Sequence, residues 1–125
     1  MDCPRDPVIR ISPRMADLNL NGHIFGGWIL SQMDIAGGIT AARRASGPVA
    51  TVAVEAMTFH RPVHIRDLVS CYTEITRIGR TSISVNVEVC VTRHGEPEEI
   101  TVTEGVFIFV AIDDNGRPRP VDAED

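Results

Sequence analysis

The feature that most constrains the fold is a long apolar segment, residues 21–46, that contains a single acidic residue. It reads NGHIFGGWILSQMDIAGGITAARRAS. From Gly26 or Gly27 onward the apolar residues fall on every side of a 3.6-residue wheel, which predicts a helix covered on all sides. Asp34 lies in the middle of this helix, where a lone carboxylate is costly to desolvate unless it is paired or faces a cleft. We therefore expect strands to wrap the helix, and Asp34 and the preceding loop to carry the function.

The rest of the sequence predicts β-strands. A short strand at residues 8–12 precedes the helix, and longer strands follow it at 49–59, 67–78, 81–93 and 100–112. Residues 49–59 are apolar on both faces, which predicts a central strand, whereas residues 81–93 alternate and predict a half-buried antiparallel strand. The loops are mostly short, and short loops join antiparallel neighbours. The predicted fold class is therefore α+β, with one curved antiparallel sheet wrapped around one long helix.

Composition indicates one ordinary globular domain. The 125 residues are 43% hydrophobic and 23% charged, so the chain 1–125 is expected to form a single domain that ends in a polar tail from about residue 114. We expect this tail to be mobile. The net charge of −5 argues against nucleic-acid binding, although a local basic patch would still suit an anionic ligand.

The sequence favours a cytoplasmic location. The N-terminus lacks the pattern of a secretory signal, and no apolar run is long enough to span a bilayer because Asp34 interrupts the best candidate. Cys3, Cys71 and Cys90 are an odd number of cysteines without CxxC spacing, which fits reduced thiols better than disulfides or a zinc site. The four histidines likewise show no metal-ligand spacing, so no metal site is predicted.

Four segments, taken together in this order, carry a resemblance to a known family: NGHIFGGWILSQMD, VATVAVEAMTFHRPV, RIGRTSISVNVEV and VFIFVAIDDNGRPR. They resemble the hotdog-fold acyl-CoA thioesterases, most closely the YciA-type bacterial acyl-CoA hydrolases, over nearly the whole chain. The resemblance implies hydrolysis of acyl-CoA to coenzyme A and a carboxylic acid, with no cofactor beyond the coenzyme A of the substrate. It also implies a homodimer whose sheets join edge to edge, commonly assembled into a trimer of dimers, with active sites at the dimer interface.

Asp34 is the first candidate for catalysis. A carboxylate in a poorly hydrated site is a better base than one in water, but structural pairs with arginine are also common, and the residues alone leave both roles open. The resemblance matches Asp34 to the family's catalytic carboxylate, as a general base or as a nucleophile that forms an anhydride. Asn21, on its own an ordinary turn residue, matches the family's loop asparagine, which implies that it holds the attacking water or the thioester.

Two glycines and a turn are candidates for binding the substrate. Gly26 and Gly27 leave the first helical N–H groups open, which suits an oxyanion hole, although a tight turn without side chains would also explain them. In the GRTS turn, Arg80, Thr81 and Ser82 could bind phosphate through charge-assisted hydrogen bonds, whereas a plain hairpin turn is the commoner role. The resemblance to the family's GRSS segment favours binding of coenzyme A.

Three aromatic residues, Phe25, Trp28 and Phe59, are candidates for lining the acyl site, although core packing is the commoner role for such residues. Other enzyme signatures, such as GxSxG, a P-loop or GxGxxG, are missing. Two alternatives to a thioesterase stay open: another hotdog enzyme, such as a hydratase or dehydratase, or a non-catalytic module that binds acyl-CoA or an acyl carrier. The first would use a histidine with an acid, and no histidine lies on the helix.

Overall fold

The computed structural model describes residues 5–123 of the 125, so Cys3 and the last two residues of the predicted tail lie outside it. In this part of the chain a short strand, β1 (Ile9–Ile11), and a 3₁₀ helix (Met15–Asp17) precede the long helix α1 (Gly26–Ala45). Four strands follow, β2 (Val49–Phe59), β3 (Leu68–Ile78), β4 (Ser82–Thr92) and β5 (Ile100–Ala111). The helix and the strands therefore begin and end within one residue of the predicted positions.

The five strands of the described region form one antiparallel sheet in the order β1-β3-β4-β5-β2. Strands β3, β4 and β5 follow one another as hairpins through the middle of the sheet, and β1 and β2 are its edges. The helix α1 lies against one face of this sheet. The predicted α+β class, with one long helix packed against one antiparallel sheet, is confirmed.

The hydrophobic core lies between α1 and the sheet. The five apolar residues at alternate positions of β4, from Ile83 to Val91, are fully buried as the alternation predicts. The helix contributes Met33 and Ala36 from its buried side. Gly37 lets α1 approach β5 closely, since an added Cβ would lie only 2.9 Å from Phe109 Cζ. A larger residue at this position would push the helix away from the sheet.

The position of β2 differs from the prediction. The sequence predicts a central strand over residues 49–59, but β2 is an edge strand that pairs with β5 within the described chain. Val52 and Val54 on this strand are 58% and 42% exposed. The prediction is wrong because an apolar pattern on both faces does not distinguish a strand in the middle of its own sheet from an edge strand that meets another chain.

The expectation that α1 is covered on all sides is also wrong for the single chain. Trp28 and Met33 are buried, whereas Ile35 is 51% exposed. Five strands about 4.8 Å apart span roughly 20 Å, which is less than the circumference of a helix about 10 Å in diameter. The sheet therefore passes along one side of α1 and leaves apolar residues on the other side open.

Residues 119–121 pack near the end of α1. Val121 is 5% exposed, and its N–H donates to the Arg80 carbonyl at 2.8 Å. The Arg119 guanidinium donates to the carbonyl of Ala45, at the end of α1, at 2.8 Å. The predicted polar tail is therefore attached through Arg119 and Val121, whereas its residues 114–118 are exposed.

Candidate active site

Asp34 is held by a hydrogen bond that joins the middle of α1 to the edge strand β2. Its Oδ1 accepts a hydrogen bond from the Thr51 hydroxyl at 2.6 Å. Asp34 is half-buried and Thr51 is exposed. Of the two roles that the sequence leaves open, pairing with an arginine is not seen in the described residues, because the partner of Asp34 is a neutral hydroxyl.

Asp34 and Thr51 lie where two shallow grooves between α1 and β2 meet. The N-terminal groove, of about 370 Å³, runs toward the start of α1 past Gly27, Leu30, Ser31, Val54 and Phe107. The C-terminal groove, of about 400 Å³, runs toward the end of α1 past Gly38, Ala42, Pro48, Val49 and Phe109. Asp34 is therefore a point from which a long ligand could extend in both directions along the helix.

Gly26 and Gly27 are the first two residues of α1. Phe25 is the N-cap, and its side chain makes no capping hydrogen bond, so the first helical N–H groups are open. Gly27 lines the N-terminal groove together with Asp34. Asp34 follows Gly27 by seven positions, which corresponds to about 10 Å along the helix axis. Gly27 and the carboxylate therefore line one groove but lie too far apart to contact a single carbonyl group.

The three aromatic candidates for the acyl site lie near the start of α1, and two of them reach the surface. Phe25 and Phe59 are 41% and 50% exposed, whereas Trp28 is 8% exposed and belongs to the core. Phe59 lies beside the helix start, since an added Cβ on Gly26 would be 3.6 Å from Phe59 Cζ. Trp28 thus has the core-packing role that the sequence leaves open for it.

Asn21 lies in an exposed turn that lines neither groove. The Asn19 side chain shapes this turn, since its Oδ1 accepts hydrogen bonds from the N–H groups of Asn21 and His23 at 2.9 and 3.0 Å. His23 in turn stacks on His64, with ring centroids 5.4 Å apart. Within one chain the structure brings Asp34 and Gly27 to the same surface, but it does not bring Asn21 there.

The predicted phosphate-binding turn is the hairpin turn between β3 and β4. The Gly79 N–H donates to the Ser82 carbonyl at 2.8 Å. Arg80 is exposed, and Thr81 and Ser82 are half-buried. The Thr81 carbonyl accepts a hydrogen bond from the Ala111 N–H at 2.9 Å, which places the turn beside the last residue of β5. The three residues proposed for coenzyme A therefore share one turn.

Thr51 is the residue of this site that the sequence prediction misses. It is the polar residue that interrupts the apolar run VATVAV at the start of β2. That interruption is the signal that could have identified it, but its partner depends on how the helix packs on the strand. A contact between positions 34 and 51 cannot be read from the spacing of either element.

The described residues contain neither a cluster of metal ligands nor an exposed cysteine. Among residues 5–123, no cluster of three or more His, Cys, Asp or Glu side chains could hold a metal ion. Cys71 and Cys90 are free and buried, and burial raises the pKa of the Cys71 thiol to about 12, so Cys71 is a poor nucleophile. In the same part of the chain, no helix has the length and apolar character needed to cross a bilayer.

A model of the thioesterase superfamily matches residues 21–98, a range that includes α1, Asp34, Thr51 and the hairpin turn. The chain belongs to the thioesterase superfamily. Among the curated relatives of this thioesterase, the acyl-CoA thioester hydrolase YciA of Salmonella typhimurium is 50% identical over 117 residues. The match covers 91% of this chain and 88% of the relative.

Solved thioesterase structures share the fold of this thioesterase. A hexameric thioesterase from Yersinia pestis superposes with a TM-score of 0.89 and 44% identity, over 96% of this chain and 98% of that one. A hexameric hotdog fold thioesterase of Campylobacter jejuni superposes with a TM-score of 0.88 and 38% identity, over 93% of this chain and 90% of that one. The hotdog architecture that the resemblance implies is therefore confirmed.

Proposed function

We propose that this thioesterase hydrolyses acyl-CoA to free coenzyme A and a carboxylic acid. The observation that carries the proposal is the Asp34–Thr51 pair at the meeting point of two grooves. The 50% identity to an acyl-CoA thioester hydrolase supports the choice of substrate class. A linear thioester laid across Asp34 would extend its acyl chain on one side and the coenzyme on the other.

Asp34 is proposed to supply the attack on the thioester carbonyl. As a general base it would take a proton from an attacking water, and as a nucleophile it would form an anhydride that water then hydrolyses. In both cases the C–S bond breaks and coenzyme A leaves as a thiolate that takes up a proton. In the first route this is the proton that Asp34 removed from water, and in the second it comes from solvent. The Thr51 hydroxyl holds Asp34 Oδ1, which supports a fixed orientation of the carboxylate during the attack.

The N–H groups of Gly26 and Gly27 are proposed to stabilise the negative charge that develops on the carbonyl oxygen. A base and its oxyanion donors must both lie within about 3 Å of the reacting group. About 10 Å of helix separates Gly27 from Asp34 in one chain, so the donors that serve Asp34 must come from another copy. The proposed site combines Asp34 of one subunit with Gly26 and Gly27 of the partner subunit.

The free edge of β2 supports a homodimer. Strand β2 ends the sheet, and Val52 on it is 58% exposed. Unpaired backbone groups on an edge strand are a template for pairing with another chain. Antiparallel pairing of two β2 strands would join the two sheets edge to edge with two-fold symmetry. The relatives from Y. pestis and C. jejuni are hexameric thioesterases, which supports further assembly into a trimer of dimers.

The remaining site residues are proposed to bind the substrate. Asn21 lies in the exposed turn before α1, from which it would accompany the helix start into the site of a partner subunit. Arg80, with the hydroxyl groups beside it in the same turn, would bind the phosphates of coenzyme A. Phe25 and Phe59, exposed near the start of α1, would contact the acyl part.

The proposed reaction uses water as its second substrate, so no cofactor is proposed beyond the coenzyme A that the substrate carries.

A cytoplasmic location is proposed as well. The free state of Cys71 and Cys90 supports it, because cysteines stay reduced in that compartment.

Release of free thiol from acyl-CoAs of increasing chain length tests the proposal. The wild type is compared with Asp34→Asn, which keeps the size of the side chain and an acceptor for Thr51 but removes the carboxylate. We expect turnover by the wild type and a loss of at least about 100-fold in kcat in the variant. Asp114→Asn, at an exposed turn after β5, is the matched control and should retain full activity.

Other outcomes separate the mechanism from the activity. Full activity in Asp34→Asn would contradict the role of the carboxylate and leave thioester hydrolysis standing. Binding of coenzyme A without thiol release by the wild type would indicate a non-catalytic acyl-CoA module. A hydrated or dehydrated acyl-CoA product, with no free thiol, would indicate a hydratase or dehydratase.

A further inference from the structure

The hairpin turn between β3 and β4 is held by hydrogen bonds from two segments outside the hairpin. The Arg80 carbonyl accepts a hydrogen bond from the Val121 N–H at 2.8 Å, and the Thr81 carbonyl accepts one from the Ala111 N–H at 2.9 Å. In an isolated hairpin, the carbonyls at the tip of the turn would bond to water. Here the end of β5 holds one of them, and the C-terminal segment, residues 119–121, holds the other.

Val121 anchors the C-terminal segment to the protein. It is 5% exposed and belongs to the hydrophobic core, and it is the one buried residue among those that the structure describes after β5. Residues 114–118 before it and Asp122 after it are exposed. The residue whose side chain is buried is therefore also the residue whose N–H holds the Arg80 carbonyl.

Arg119 attaches the same segment to the end of α1. Its N–H donates to the Ala111 carbonyl at 2.9 Å, and its guanidinium donates to the carbonyls of Ala45 and Ile112 at 2.8 and 3.1 Å. Carbonyl groups at the end of a helix lack partners within the helix and attract positive charge. An added Cβ on Gly47 would lie 2.6 Å from Arg119 Nη2, so the guanidinium occupies space that glycine leaves open. The charge of Arg119 is thus directed at the protein itself.

A turn that binds phosphate gains affinity from being held in one conformation. Charge-assisted hydrogen bonds from an arginine depend on direction, and the ordering of a mobile loop on binding reduces affinity. A hairpin turn without outside contacts is among the mobile parts of a protein. The hydrogen bonds at the Arg80 and Thr81 carbonyls fix the backbone of the turn before any ligand arrives.

The C-terminal segment lies far from the proposed reacting group. Ala45, which it contacts, follows Asp34 by 11 positions, and this corresponds to about 16 Å along the helix axis. A group at this distance does not touch a thioester at Asp34, so any effect on the substrate passes through the turn. A remote contact that is equally strong in the ground state and the transition state changes KM and leaves kcat unchanged.

We propose that Arg119 and Val121 are positioning residues that hold the Arg80 turn in the conformation that receives the phosphates of coenzyme A. This inference rests on the proposed function, since it takes the turn as the phosphate site. Val121 acts through its N–H and its buried side chain. Arg119 acts by fixing the segment on the end of α1, and neither residue contacts the substrate.

Thiol release from two thioesters of the same acyl group tests this role. One is the acyl-CoA, and the other is the N-acetylcysteamine thioester, which carries the end of the coenzyme arm and no phosphate. Val121→Asp places a charge at a buried position and detaches the segment. We expect it to raise KM for acyl-CoA by at least about 10-fold, the size of a lost charge-assisted hydrogen bond. The kcat for acyl-CoA and the kcat/KM for the phosphate-free thioester should stay within about twofold of the wild type.

Arg119→Ala and Arg117→Ala form a matched pair, because each removes one arginine from the same part of the chain. Arg117 is exposed, and its N–H donates to Asp113 Oδ1 at 3.0 Å, a bond that alanine keeps. Arg119→Ala should raise KM for acyl-CoA, whereas Arg117→Ala should keep it within about twofold of the wild type. Val121→Ala is the milder variant if the aspartate variant does not fold, and it should show a smaller rise in KM.

A double-variant cycle shows whether the segment acts through the turn. Arg80→Ala alone should raise KM for acyl-CoA. Adding Val121→Asp should then raise KM no further, because two residues that serve one interaction do not have additive effects. Full multiplication of the two effects would show that the segment acts elsewhere and would overturn the proposal.

Two further results would overturn it. An equal loss of kcat/KM on both thioesters would show that the segment serves the stability of the whole enzyme. An unchanged KM for acyl-CoA in both Val121→Asp and Arg119→Ala would show that the turn keeps its conformation without the segment. Failure of the proposed function is distinguishable, because the wild type would release no thiol from either thioester. Calorimetry with coenzyme A would then still report whether the variants lose affinity.

Discussion

The hydrogen bond from Thr51 to Asp34 decides the orientation of the proposed catalytic carboxylate. It is 2.6 Å long, within the range of a hydroxyl that donates to a charged carboxylate. It also crosses from the edge strand to the helix, so the position of the carboxylate depends on how these two elements pack. An aspartate without this contact would sample several rotamers, and small displacements of a catalytic group are costly in rate.

Thr51→Val should therefore lower kcat by about 10- to 100-fold and leave KM nearly unchanged. Valine keeps the shape of threonine and removes the donor, so a folding defect is not expected. Steady-state kinetics with one acyl-CoA measures the effect. Thr51→Ser restores the hydroxyl and should recover most of the activity. A serine variant as slow as the valine variant would show that the methyl group, and not the hydrogen bond, is what matters.

A second carboxylate, Asp67, contributes to stability in a pH-dependent manner. It is 2% exposed, and burial alone would raise its pKa. Hydrogen bonds from the Arg93 guanidinium at 2.9 and 3.0 Å and from the His64 N–H at 2.8 Å outweigh burial and hold the pKa of Asp67 below its ordinary value. These contacts tie the loop before β3 to the residue that follows β4.

The pKa of Asp67 is lower in the folded than in the unfolded protein, so its stabilising contribution is complete above the ordinary carboxyl value of about 3.9. It is lost as the pH falls through the lower folded value. We expect Asp67→Asn to reduce the free energy of unfolding by about 2 kcal/mol at pH 7. Urea denaturation from pH 7 to pH 3 should show the two proteins converging as the pH falls. A constant difference across this range would contradict the charge effect.

At the scale of elements, the packing of α1 on the sheet depends on one of its two adjacent glycines. Gly37→Ala would place a Cβ 2.9 Å from the buried Phe109 ring, and overpacking of this kind costs about 1–3 kcal/mol. The gain in helix propensity offsets about 1 kcal/mol of that cost. We expect urea denaturation to show a net destabilisation of up to about 2 kcal/mol. Gly38→Ala is the control and should be at least as stable as the wild type.

The helix and the strands could be predicted from periodicity. Which chain packs against their apolar faces could not. The strict alternation from Ile83 to Val91 fixes the buried face of β4, and Gly47 with Pro48 marks the end of α1. The apolar patterns of α1 and β2 predict that their side chains are buried. They do not distinguish burial within the same chain from burial against a second copy. For the same reason the Asp34–Thr51 contact was beyond prediction, because it depends on the packing of two elements and not on the pattern of either.

At the scale of the whole molecule, the single chain leaves apolar side chains and a free strand edge exposed around its candidate site. The open side of α1 with Ile35, the free edge of β2 with Val52, and the grooves at Asp34 are all exposed. Exposed apolar side chains beside an unpaired strand edge are typical of an interface between chains. The residues proposed for catalysis are also too far apart within one chain to act on one carbonyl. A second copy accounts for both facts.

A site shared between subunits predicts that two inactive variants restore each other. Asp34→Asn removes the carboxylate, and Gly27→Pro removes an N–H donor in the first turn of α1, where proline is tolerated. Each variant alone should be inactive. In a mixed dimer, the Asp34 of the Gly27→Pro chain faces the intact Gly27 of the partner subunit, so one of the two sites is complete. Random mixing of equal amounts forms mixed dimers in half of the cases, so co-expression should recover roughly a quarter of wild-type thiol release. If both groups acted within one chain, every site in the mixture would lack one of them, and no activity would return.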